Sequence, residues 1–151
     1  ATKRKVSKLH WRDMTLSEKR RSIPVIEALS LPHIAIAATP LDGTVTSERA
    51  RRKCLELLLP TLEKEYGISR LVLESRETSQ DDRDLMFVRG LRSRRFISRL
   101  RVDFAPGFSD ARLWIADQAL GAIGDAQRGR QDFSSFLETL DMRELDLHHL
   151  A

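Results

Sequence analysis

A single cysteine, Cys54, occurs in the chain. It excludes an internal disulfide, and no CxxC or Cys/His spacing suggests a zinc centre. No apolar run approaches the roughly 20 residues that span a bilayer, so a membrane partner is not expected. The polar, basic first twenty residues lack the apolar stretch of a signal peptide. Gly-rich phosphate loops, a dinucleotide fingerprint and a Ser-His-Asp arrangement are all missing. A reducing cytoplasm is the expected setting.

What remains is a chain of 151 residues with 41% hydrophobic and 32% charged positions, enough for one domain with one core. The net charge is +4, unevenly spread. Residues 1–9 read as a basic arm, and Lys8 and Arg12 belong to the first basic cluster. Arg83, Arg89, Arg92, Arg94, Arg95, Arg99 and Arg101 crowd the middle, whereas the tail is acidic. Clustered arginine points to a polyanion surface, or to a solvated face with ordinary ion pairs.

Periodicity predicts alternating helices and strands over residues 10–151. Thr15 with Glu18 has capping-box spacing and starts a helix to about Leu29, with Ile23 and Ile26 inward. Residues 33–38 are apolar and bounded by Pro32 and Pro40, as a buried strand requires. Ser47 caps a helix to about Tyr66 with Ala50, Cys54, Leu57, Leu58 and Leu62 inward, and Gly67 follows it. Leu71 to Glu74 is a second strand. A helix capped at Ser79 carries Leu85, Val88 and Leu91 inward. Residues 99–104 alternate as a third strand, Ser109 caps a helix through residues 113–124, and Phe133 to Leu150 forms one or two short helices. Such alternation implies an α/β fold with a mostly parallel central sheet flanked by helices.

Asp117 stands out. Its helical neighbours Leu113, Trp114, Leu120 and Gly121 are apolar or small, so the face is expected to pack inward. A carboxylate buried there needs a partner or a ligand, because even a neutral polar group costs about 2–7 kcal/mol without one. Glu74, at the carboxyl end of its strand, is the second acid, and sites in parallel α/β sheets form beyond such ends. Asp81, Asp82 and Asp84 follow on the next helical turn. Carboxylates without cysteine favour a hard ion, Mg²⁺ or Mn²⁺, and with Arg83, Arg89 and Arg92 nearby the natural chemistry is phosphodiester hydrolysis. Each acid also has a structural reading: Glu74 paired with Arg76, Asp81 and Asp82 serving the helix dipole, Asp84 in an ion pair, and Asp117 on a buried backbone group or an arginine. His10 and Trp11 fit either phosphate and base contacts or packing at a domain edge.

Four segments in order, KLHWRD (8–13), ERARRKCLELLLPTL (48–62), LVLESR with DDRD (71–76 and 81–84) and LWIADQALGAIG (113–124), resemble the bacterial domain-of-unknown-function family 3800. The resemblance implies a ribonuclease H-like fold and a metal-dependent, nuclease-like site acting on RNA or DNA. It places Glu74 and Asp117 in the acidic set, both as catalytic residues and as metal ligands. Asp84 would assist catalysis and Asp81 the metal, and Arg76 matches a further recurring position. Lys8, Arg12, Arg76, Arg83, Arg89, Arg92, Arg94 and Arg95 are then the expected nucleic-acid contacts. The family pattern opens with an Asp-bearing strand that this chain lacks. Either those strands lie on a preceding segment, or this is a short form without the central carboxylate, a non-catalytic binding module whose sheet is completed by a second copy or another partner.

Overall fold

A computed structural model describes residues 10–130 and 133–149. Lys8 and the rest of the basic arm lie outside the described residues. The chain is an α/β protein in which parallel strands alternate with helices. Its elements are α1 (Leu16–Ala28), β1 (Ile34–Thr39), α2 (Ser47–Lys64), β2 (Arg70–Glu74), α3 (Thr78–Ser93), β3 (Arg101–Ala105), α4 (Ala111–Gln127), the single turn α5 (Ser134–Leu137) and β4 (Asp141–Asp146). Where one central sheet is expected, the strands form two small parallel sheets, β1 with β4 and β2 with β3. No described helix is long and apolar enough to cross a membrane.

Two compact units divide the chain, one from residues 1–35 and 106–141, the other from residues 36–105 and 142–151. Each has its own apolar cluster, where the sequence suggested one core. In the first unit, Trp11, Met14, Ile23, Ile26, Ala119, Ala122, Phe133 and Phe136 pack together. The α1 prediction holds here: Thr15 accepts from the Glu18 N–H, and Ile23 and Ile26 face inward. Helix α4 is capped by Asp110, not Ser109; the Asp110 carboxylate accepts from the Arg112 N–H at 2.9 Å.

The second unit is built on the β2–α3–β3 crossover. Strands β2 and β3 pair in parallel from Arg70 opposite Arg101 to Glu74 opposite Ala105. Leu55 and Leu59 from α2, Val88 and Leu91 from α3, and Ile97 and Leu100 beyond it form the core. The α2 stripe is therefore rotated from the expected one. Cys54, Leu57, Leu58 and Leu62 are only half-buried; with leucines at 55, 57, 58 and 59, more than one inward stripe fits the sequence and its period is ambiguous. Thr46 rather than Ser47 caps α2, and Glu77 rather than Ser79 caps α3 through a reciprocal box with Gln80. On α3 the inward row begins at Asp84, 2% exposed, with Leu85 half-buried. The acidic tail, read as helical, contains strand β4.

Two helical glycines differ sharply. A Cβ at Gly90 in α3 would meet nothing within 4 Å, whereas one at Gly121 in α4 would lie 2.1 Å from Cγ of Trp11. Gly90→Ala should therefore stabilise the second unit by about 0.5–1 kcal/mol through helix propensity alone. Gly121→Ala carries the same propensity gain but should destabilise the first unit by about 1–3 kcal/mol through overpacking. Denaturant titration of the two variants checks the opposite signs.

Candidate functional site

Tryptophan at position 11 organises the first unit's cavity. A short 3-10 turn, Trp11–Asp13, brings it against α4. Residues 117, 121 and 125 are spaced by four, so they share one face of that helix. Trp11 spans all three. Its backbone N–H donates to Asp117 Oδ2 at 3.3 Å, its ring fills the space over Gly121, and its indole N–H donates to Asp125 Oδ2 at 2.9 Å. Phe133 meets the indole edge to face at 5.6 Å between centroids.

Asp125 is the buried acid of α4, at 5% exposed. Lys19 Nζ lies 3.2 Å from its Oδ2 and also sits 5.0 Å over the Trp11 ring. Burial pushes the Asp125 carboxyl up, but the Trp11 indole, Lys19 and the nearby Arg130 outweigh it, so its pKa is lowered. Asp117, by contrast, is half-exposed, and Leu120 beside it is 62% exposed. The face containing Asp117 is thus not the inward apolar face the sequence suggested. It borders a cavity of about 480 Å³. Sequence reading did not single out Asp125. The available signal was its four-residue spacing from Gly121 and Asp117.

That cavity gathers His10, Trp11, Arg12 and Lys19 from one segment and Asp117, Leu120, Asp125, Arg128 and Arg130 from the other. Four cationic side chains face two carboxylates. Arg12, Arg128 and Arg130 are exposed, and Arg128 and Arg130 flank Gly129, whose φ of +68° turns the chain at the helix end. Asp117 Oδ2 also lies 3.9 Å from His10 Nδ1. Trp11 is buried, which matches the packing reading; its ring is not offered to a base. A second, smaller cavity of about 290 Å³ in this unit is bordered by His33, whose burial lowers its pKa.

The other expected site residues lie in the second unit. Glu74 ends β2 and is exposed, and it is not without a partner. Asp81 accepts from the Arg76 backbone N–H at 2.9 Å, a local turn contact before α3. Asp84 sits between two guanidiniums, Arg51 at 3.0 Å and Arg76 at 3.1 Å, and Arg76 is also clasped by Glu48. Asp84 is thus the acceptor of an ion-pair network and Arg76 is engaged internally, where a catalytic acid and a phosphate contact were expected. Arg83, Arg89, Arg92, Arg94 and Arg95 are exposed. Arg92 donates to the Leu100 carbonyl at 2.6 Å, and Arg94 stacks 5.0 Å from the Phe96 ring centroid. Glu63 orders the loop that follows, accepting from the backbone N–H groups of Ser98, Arg99 and Leu100 at 2.7–3.0 Å. Burial raises its pKa, but these donors prevail and lower it.

Among the described residues, no group of three or more His, Cys, Asp or Glu side chains is arranged to hold a metal ion. No family model, curated protein or solved structure matches the chain.

Proposed function

We propose that the chain binds nucleic acid through its phosphodiester backbone, and that the cavity beside Trp11 is where it grips the phosphate. One observation carries this reading: Arg12, Arg128 and Arg130 are exposed around one cavity, with Lys19 behind them. The guanidinium fork matches phosphate oxygens, and such contacts make affinity steeply salt-dependent. The exposed arginines of α3 and its following loop support the same class of partner.

The second reading is hydrolysis assisted by Mg²⁺ or Mn²⁺. It is favoured by Asp117 and His10, which stand in the same cavity as the arginines. Both described contacts of Asp117 fall on Oδ2. Mg²⁺ is often held by one or two carboxylates, with water and substrate phosphates completing the shell, so Asp117 could anchor an ion there. The strand–helix alternation and the four resembling segments support a ribonuclease H-like relation to family 3800, with Glu74 in its acidic set. Two-stranded sheets are marginal alone, which supports completion by a second copy or another strand-bearing partner; a clean monomer on size exclusion at micromolar concentration would remove that addition.

Fluorescence polarisation with a labelled oligonucleotide across 50–200 mM salt tests the binding. Replacing Arg128 and Arg130 together by alanine should lower affinity at every sequence. For a single strand it should also flatten the plot of log K against log salt by about 0.7 per lost phosphate contact. An unchanged slope would remove the cavity from the interface. For the second reading, Asp117→Asn should abolish Mg²⁺-dependent cleavage while leaving binding intact; a wild-type chain that cleaves RNA, DNA and hybrid equally poorly with and without metal sinks hydrolysis but not binding.

A further inference from the structure

We infer that the Trp11 cavity takes one nucleotide of a single strand, and does not cradle a duplex backbone; this rests on the phosphate-gripping reading above. The size comes first. About 480 Å³ falls within the ~300–1,000 Å³ range of pockets that enclose one small molecule. A duplex presents its phosphates on the outside of a wide, stiff rod, and its stacked bases cannot enter such a space. A single strand can turn one nucleotide in.

The lining has two kinds of surface. Arg12, Arg128 and Arg130 supply charge for the phosphate. Opposite chemistry comes from Leu120, 62% exposed on a helix whose other large apolar residues are at least half-buried, and from the His10 imidazole, 40% exposed. An aliphatic face and an imidazole ring are surfaces on which a base can rest, and base stacking tolerates any sequence. Trp11 cannot serve, since its ring is buried over Gly121 and its N–H is committed to Asp125. The cavity lining therefore combines cationic side chains with an exposed aliphatic side chain and an imidazole, which a purely electrostatic backbone groove does not need.

Polarisation with a labelled single-stranded 12-mer, the same sequence as a duplex, and an RNA–DNA hybrid tests the inference. The single strand should bind at least about tenfold tighter than either duplex at 150 mM salt. A nucleoside 5′-monophosphate should compete, and inorganic phosphate at equal concentration should compete less. Leu120→Ser and His10→Ala, each at an exposed position, should each weaken single-strand binding by about 5–10-fold and leave weak duplex binding unchanged. Equal or tighter duplex binding that still depends on Arg128 and Arg130 would overturn the inference and leave the phosphate-binding reading standing. Absence of salt-dependent binding to any of the three would overturn both.

Discussion

Replacing Asp84 with alanine should cost the second unit about 3–5 kcal/mol, because it removes the buried acid that is bonded to both Arg51 and Arg76. Asp84 is 2% exposed, and its two oxygens accept from two guanidiniums at 3.0–3.4 Å. Removing one member of a buried pair leaves the other charges desolvated and unpaired, and that penalty exceeds what the pair itself contributes. Glu48 still holds Arg76, but Arg51 loses its carboxylate. Asp84→Asn should cost less, since an amide oxygen still accepts one bond, yet it leaves two cations facing a neutral group. The measurement is hydrogen exchange of α2 and α3 together with a denaturant midpoint, because two compact units need not unfold in one step. A cost below about 1 kcal/mol for the alanine variant would show that the network does not hold these helices. The same experiment guards functional assays: lost activity in an Asp84 variant reports unfolding unless exchange is unchanged.

Asp125→Ala should be about as damaging to the first unit, by a related route. It leaves the Trp11 indole N–H and the Lys19 ammonium without their shared acceptor, at about 3–5 kcal/mol for a broken buried ion pair. Asp125→Asn keeps an oxygen for the indole and should cost about 1–3 kcal/mol. Fluorescence gives a direct readout: Trp11 is buried in the native unit, so its emission should move to longer wavelength in the alanine variant. Acid adds a second signature. The Asp125 pKa is lowered on folding from 3.8, so its stabilisation is complete above about pH 4 and disappears as pH falls through the lower native value. Asp125→Asn should flatten the stability curve below pH 4 and lie parallel to wild type above it. Parallel curves throughout would mean that Asp125 titrates alike in folded and unfolded chains.

Local signals carried well into the fold. Thr15 with Glu18, the apolar stretch at 34–38 between prolines, and the run Leu71–Leu73 each declare an element through a few adjacent residues. Strand β4 did not, because Asp141, Met142, Arg143, Glu144, Leu145 and Asp146 give no apolar alternation. Met142 and Leu145 stand three apart, the helical spacing, while the half-buried positions are Asp141, Arg143 and Leu145. Pairing to β1, remote in sequence, makes it a strand.

For the candidate site the outcome divides along the same line. Asp117 was paired with Glu74 from the sequence, whereas the cavity that Asp117 borders is lined by His10, Trp11 and Arg12 and not by Glu74. The partners of Asp84 were not legible, because Arg51 and Arg76 reach it from two other stretches of chain and nothing in local composition marks them. Asp117 and Asp125 lie on one face of α4 and both line the cavity, but Asp125 is the buried acid and Asp117 the more exposed one, a difference set by what Trp11 and Lys19 cover.

The ladder of Asp117, Gly121 and Asp125 under Trp11 makes helix α4 intolerant of changes in length. One residue inserted between 117 and 125 advances the helix by about 100°. The indole would then keep its grip at one end only, with a side chain rotated under its ring. Point substitutions on the outer face of α4 are absorbed individually, but an insertion or deletion within those nine positions uncouples the segment carrying His10 and Arg12 from the one carrying Arg128 and Arg130.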